Sequence, residues 1–347
     1  MKDAGHRACI EQALNHEKGE RVPVNNFALA TAAKSCGVDL EVARWDPKIS
    51  AKVAVDYSMR TMSDFVKPMI DSQVPFADLG MEVVFPQDDY GMIPGHLVET
   101  AEDIDRMELF DPYDPKTCPK FTLNAIDSLE ETVRILPEDL HICGLSWGPI
   151  STAGYIMGAE SLMMSMLMEP DVAKALVSKI TPFISDMHKR MVDAGASVMW
   201  MADPTSSEDL ISPEMFSEFS SDYIRNVVKD VKAHADVPAF VHICGNTLET
   251  MKLLPQTGAD CLSLDHAVDI AMAKQNARGK MAIMGNLDPV GMLMAGTPES
   301  IAEESRRIID IAGQDGGFIL APGCETPQTT ADDNVIAMCK TACEYKF

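Results

Sequence analysis

Pro238-Ala-Phe-Val-His-Ile-Cys-Gly245 is an apolar run with turn formers at both ends, Asp236 and Pro238 at its start and Gly245-Asn246 at its close. Its length and composition suit a parallel strand covered on both faces. Side chains two apart on a strand share a face, so His242 and Cys244 project together and can touch one ion. Gly317-Phe-Ile-Leu-Ala-Pro-Gly-Cys324 repeats the plan: an apolar strand, a Pro-Gly turn, then a cysteine. In one parallel barrel both strand ends lie on the same rim. Imidazole plus two thiolates is a zinc donor set that leaves the fourth position for water or substrate.

Working outward from these two runs, apolar strand patterns alternate with helical ones. Strands are expected at 21–27, 64–71, within 75–86, and then at 140–145, 197–203, 238–244, 260–265, 280–286 and 317–322. Helices are expected at 3–18, 47–62, 119–135, 150–158, 159–168, 171–195, 213–234, 247–257, 269–279, 298–313 and 331–345. Residues 28–37 are small and show no strong pattern, and residues 86–118 are rich in Asp, Pro and Gly. About eight strands alternating with helices predict an α/β fold: a (β/α)8 TIM barrel with an N-terminal helical segment and an insertion near 86–118. No compositional linker divides the chain, so a single domain over 1–347 is expected.

The 347 residues carry a net charge of −24. That argues against nucleic acid and against anionic membrane surfaces, both of which call for basic footprints. No run is long enough to span a bilayer, and the polar start, 1–20, lacks a signal-peptide core. Nine cysteines without short repeated spacings suit a reducing, cytoplasmic setting better than a disulfide framework. The chain has no G-x-S-x-G elbow, no G-x-G-x-x-G after a strand, no P-loop and no H-E-x-x-H.

Chemistry in such a barrel gathers at the carboxyl ends of strands. The polar residues expected there begin with Asn25 and Asn26, Asp71, then His141 and Cys143. Asp203, His242 with Cys244, Asp265 with His266, Asn286 with Asp288, and Cys324 follow. The tetrapeptide His-Ile-Cys-Gly occurs twice, at 141–144 and 242–245, each time at an expected strand end. Only the second copy is joined by the late Gly323-Cys324, so His242, Cys244 and Cys324 are the candidate metal ligands. Asp265 is the candidate resting fourth ligand, with His266 behind it.

The chain resembles the uroporphyrinogen decarboxylase superfamily over nearly its full length. The likeness rests on Arg21-Val-Pro-Val24, Val74-Pro-Phe-Ala-Asp-Leu-Gly80 after Asp71, Gly148-Pro149, Ala202-Asp203 and Ser212-Pro213. The His242 tetrapeptide, Met284-Gly-Asn-Leu-Asp-Pro289 and the Gly317–Cys324 run complete it. The decarboxylases carry an M-R-Q-A-G-R-Y segment that holds porphyrinogen carboxylates. At that place this chain reads Phe27-Ala-Leu-Ala-Thr-Ala-Ala-Lys-Ser-Cys36, without arginine. The His-x-Cys pair with the late Gly-Cys is similar instead to the methylcobamide:coenzyme M methyltransferase branch.

That resemblance implies zinc on His242, Cys244 and Cys324, with Asp265 where the branch tends to place an acidic residue. Asp71, Asp203 and Asn286 would be pocket residues. It implies a methyltransferase that moves a methyl group from a methylated corrinoid, presented by a small corrinoid-binding protein, to a small thiol such as coenzyme M. The acidic excursion at 86–118 is a candidate docking surface for that protein. Alternatives remain open: tetrahydrofolate as acceptor, a lyase in which Asp71 holds a substrate nitrogen, or a metal- or corrinoid-binding accessory protein.

Overall fold

Seven parallel strands form one sheet in chain order: β1 (Phe65–Val66), β2 (His141–Trp147), β3 (Val198–Ala202), β4 (Ala239–Ile243), β5 (Cys261–Leu264), β6 (Ala282–Leu287) and β7 (Phe318–Pro322). The structure, a computed structural model, describes residues 5–114, 116–137 and 139–347. The helix Pro47–Arg60 leads into β1, and helices including Lys120–Ile135, Pro170–Asp193, Asp222–His234 and Pro298–Ala312 occupy the connections between strands. The fold is the TIM-barrel type that the alternation predicts.

Side-chain alternation sorts the core into two layers. Phe65, Trp200, Phe240, Met284 and Ile319 fill the interior with other small and aromatic residues. Met199, Val241, Leu262, Ile283 and Leu320 face outward into the helices. Both faces of each strand are therefore buried, which is why the strands read as continuous apolar runs. On β4 the inward positions are Phe240 and His242, and Cys244 follows in the same phase.

The first part of the barrel departs from expectation. Residues 21–27 form no strand, and only Val24 bridges to Leu320 of β7. Pro23 has no N–H to give, and the Val24 N–H goes to the carboxylate of Asp64 (2.7 Å). The strand expected at 64–71 shrinks to Phe65–Val66, since Pro68 cannot donate to a ladder. Within 75–86 a helix, Val74–Asp78, replaces the turn, with Pro75 in its first turn. The strand there is a single antiparallel bridge, Val84 to Met92. Residues 28–37 contain the helix Ala30–Ser35.

The expected N-terminal helix is found at His6–Leu14; its positions 3 and 4 lie outside the described residues. The helix expected at 247–257 is two 3₁₀ turns, Thr250–Lys252 and Leu254–Thr257, separated at Leu253, with Pro255 at the start of the second. The excursion at 86–118 holds one helix, Ala101–Arg106, started by a capping box between Thr100 and Asp103. Pro115 within it lies outside the described residues. The first His-Ile-Cys-Gly opens β2 instead of ending it, so His141 sits at the amino-terminal end of the barrel.

Candidate active site

At the carboxyl end of β4, His242 Nε2 lies 3.1 Å from Cys244 Sγ, and Cys244 Sγ lies 3.6 Å from Cys324 Sγ. The three donor atoms all lie within 4.8 Å of one another. Gly245, at φ +72°, turns the chain sharply after Cys244, and a Cβ there would meet Asp209 at 2.1 Å. Gly323 brings Cys324 to the site by packing against backbone: a Cβ would lie 2.3 Å from the amide nitrogen of His266. His242 Nδ1 lies 3.0 Å from Ser263 Oγ on β5. With Nδ1–H donating to that oxygen, the lone pair of Nε2 is aimed at the sulfurs.

The two thiols are within hydrogen-bond reach of each other. The hydrogen bond from Cys244 to Cys324, together with burial, pushes Cys244 up. The same bond pulls Cys324 well below the usual thiol range. Tetrahedral zinc with legs of about 2.0 to 2.3 Å sets nitrogen–sulfur and sulfur–sulfur separations of about 3.5 and 3.7 Å. The observed spacings are close to these, so the donor set fits zinc.

Beside the three residues is a cavity of about 100 Å³. Phe27, Leu29, Leu145, Trp147 and Trp200 form most of its apolar wall, and Glu325 adds a carboxyl. The Phe27 ring meets the His242 ring edge-on at 5.0 Å and Trp200 at 5.2 Å, so the imidazole is braced from inside the barrel. Glu325 is bonded by the Tyr90 hydroxyl. Burial pushes its carboxyl up to about 8. Lys67 lies under this floor, 2% exposed, with Nζ 5.1 Å from the centre of the Trp200 ring and 2.5 Å from Asn25 Oδ1. Burial pushes that ammonium down to about 8.

The other residues expected at the site have different surroundings. Asp71 pairs with Arg44 (2.8 Å) and accepts the Gly91 and Gln73 amides (2.9 Å each). Asp203 accepts the Ser151 amide (2.7 Å) and the Ser206 hydroxyl (3.0 Å), and burial raises its carboxyl. Asn286 donates to the carbonyls of Asp265 and Val268 (3.0 and 2.7 Å). These three brace loops at the rim, and none lines the cavity. Asp265 meets His266 Nδ1 (2.8 Å) and the Ala267 amide (2.9 Å), and is not among the clustered donor atoms.

His141 is buried far from the site. Its Nδ1 pairs with Ser197 (3.0 Å), its ring stacks on Phe65, and burial pushes it down to about 4. Cys143 is wholly buried, and burial pushes its thiol up to about 11. Sequence reasoning missed Ser263, Glu325 and Lys67. A lysine inside the apolar run Phe65–Ile70 and a serine inside Cys261–Leu264 were the available signals, because a polar group in a doubly buried strand needs a partner.

The chain belongs to the uroporphyrinogen decarboxylase family, whose model matches residues 6–345. The methylcobamide:CoM methyltransferase MtbA of Methanosarcina acetivorans is 31% identical over 73% of this chain and 71% of its own length. The methylated-thiol–coenzyme M methyltransferase of Methanosarcina mazei is 27% identical over 91% of this chain and 82% of its own. A methyltransferase structure from M. mazei superposes with TM-score 0.87 at 21% identity, covering 98% of both chains, and shares the fold. The chain is an enzyme of the methyltransferase type. Among the described residues no helix is long and apolar enough to cross a membrane.

Proposed function

We propose that this enzyme transfers a methyl group from a methylated corrinoid to a thiol, using zinc held by His242, Cys244 and Cys324. The reading is carried by one observation: three soft donors converge within 4.8 Å at the edge of a cavity on the carboxyl end of the barrel. The named relatives, which act on methylcobamide and coenzyme M or on methylated thiols, support it. Zinc, when bound, supplies a Lewis acid that makes a thiol give up its proton at neutral pH.

The chain's own residues set the conditions for that chemistry. Ser263 fixes the His242 tautomer, Gly245 and Gly323 fix the approach of the two cysteines, and Phe27 braces the imidazole. Leu29, Leu145, Trp147 and Trp200 keep water from the acceptor sulfur, so its charge is poorly solvated and its lone pair stays reactive. That lone pair attacks the methyl carbon, an S–C bond forms, and the Co–C pair remains on cobalt, which passes from Co(III) to Co(I). A corrinoid is too large for a cavity of about 100 Å³. It would therefore be presented at the mouth by a separate small protein, with the excursion at 86–118 as one side of the docking surface.

Metal analysis combined with methylcobalamin demethylation tests the proposal. About one zinc per chain is expected, with both zinc and thiol-dependent loss of the methylcobalamin spectrum removed in Cys324→Ser. A metal-free preparation that turns over at the same rate sinks it.

A further inference from the structure

The cavity beside the donor cluster has a wall with a definite chemistry. Leu29, Leu145, Trp147, Trp200, Ala202 and Pro204 present carbon, and the one ionisable side chain besides the three candidate ligands is the carboxyl of Glu325. A second cavity of about 50 Å³ shares Ser72, Leu145, Ser146 and Trp147 with it, so the apolar space continues past one wall. Beyond that wall it is lined by residues such as Phe76, Leu79, Phe183 and Met187.

Two buried cations lie near this part of the barrel, and both are committed elsewhere. Arg44 Nε holds Asp71 at 2.8 Å, while its other nitrogens donate to the carbonyls of Pro86 and Asp89. Lys67 donates to Asn25 and is ringed by Phe27, Phe65 and Trp200. Neither residue lines either cavity, and among the described residues lining them there is no lysine or arginine.

Coenzyme M is 2-mercaptoethanesulfonate, and its sulfonate, a strong acid, is ionised at neutral pH. Seating it here would strip water from an anion, place it against carbon, the Ser72 and Ser146 hydroxyls and a carboxyl, and return no cationic partner. The net charge of −24 adds no attraction. An uncharged two- or three-carbon tail loses nothing on entering and gains from contact with the indole and leucine walls.

We infer that the acceptor of this enzyme is a small thiol with an uncharged, apolar tail, not a thiol bearing a sulfonate. This rests on the methyl-transfer reading and names the acceptor class of the same site. The test compares ethanethiol with 2-mercaptoethanesulfonate, which share the two-carbon chain and differ in the terminal group. Trp147 and Trp200 line the cavity, so binding to the zinc-loaded protein is read from tryptophan fluorescence without any corrinoid. Turnover is then read from methylcobalamin demethylation.

Ethanethiol is expected to half-saturate the fluorescence change at a concentration at least ten-fold lower, and to give kcat/KM at least ten-fold higher. Equal or tighter binding of the sulfonate, or equal or faster demethylation with it, overturns the inference. Binding of ethanethiol without demethylation by either thiol overturns the methyl-transfer reading itself, and the acceptor assignment with it.

Discussion

The two copies of His-Ile-Cys-Gly flank the same strand and do opposite things. Cys143 pairs with Val198 at the start of β3, whereas His242 pairs with Ala202 at its end. His141 lies two residues below the first pair, so the two histidines differ by about six residues, or roughly 20 Å along the strand direction. The first copy enters its strand: His141 is held by Ser197 and Phe65, and Cys143 is wholly buried. The second leaves its strand, and its Cys244 meets Cys324 at 3.6 Å. Identical residues become filler or a donor set according to their phase along the strand. Neighbouring registers set that phase; the tetrapeptide does not.

The sharpest way to break this comparison is to remove each histidine in turn. His242→Ala is expected to lose the bound zinc and to lower methyl transfer by at least about 10³-fold, and the void it leaves against Phe27 should also lower the melting temperature. His141→Ala is expected to retain about one zinc per chain while losing about 2–3 kcal/mol of stability through the void against Phe65. Metal content and thermal unfolding of the pair decide it; loss of zinc in both would merge the two copies into one role.

A smaller effect sharpens the second copy. Ser263→Ala removes the partner of His242 Nδ1 and frees the ring to choose its tautomer. Zinc affinity is expected to fall about 10–100-fold, measured by competition with a chelator. Unchanged affinity would mean that the Phe27 contact alone orients the ring.

A further effect belongs to the first copy and is a pH dependence. Burial holds His141 near 4 and His188 near 3, against about 6.5 in an unfolded chain. The unfolded chain therefore binds more protons below about 6.5. Stability is full above that pH and falls as pH drops toward 4, by up to on the order of 3 kcal/mol for His141 alone. In His141→Phe the slope of stability against pH between 6.5 and 4 should flatten, as followed by urea unfolding, and an unchanged slope would remove His141 as its source.

What was legible in the sequence follows the same division. Strands β2 to β7 could be read because burial on both faces makes each an apolar run ended by Gly, Pro or Asp. The donor trio could be read because His242 and Cys244 are two apart on a strand and Cys324 follows a Pro-Gly turn. Asp71, Asp203 and Asn286 are pocket residues only by what the resemblance implies; none lines the cavity beside the donor trio, though Asn286 lines another, with His266 and Asp288. Their carboxylates and amide turn instead into Arg44, the Ser151 amide and the carbonyls of 265 and 268. Which way a polar side chain turns at a rim depends on partners 18 to 52 residues away in the chain. Glu325 was hidden for the same reason: its character comes from burial and the Tyr90 hydroxyl, neither of which leaves a pattern in the chain, whereas Lys67 did leave one, as a cation inside an apolar run.

Barrels ordinarily close by a ladder of backbone bonds between first and last strands. Here the junction at 21–25 has a single bridge to β7, through the Asn25 amide to Leu320 and the Leu320 amide to Pro23 (2.9 Å each). Toward β1 the work falls to Asp64. Its amide donates to the Val24 carbonyl (2.9 Å), and its carboxylate takes the Val24 amide, Arg21 Nη1 (2.9 Å) and His6 Nδ1 (2.7 Å). Burial alone would raise that carboxyl, but the bonds from Arg21 and His6 hold it below the usual carboxylate range. The ring is thus latched by an ion cluster. Protonating that carboxylate, or replacing it in Asp64→Asn, is therefore expected to loosen the N-terminal helix and the barrel seam together, so that the two lose protection from amide exchange at the same time.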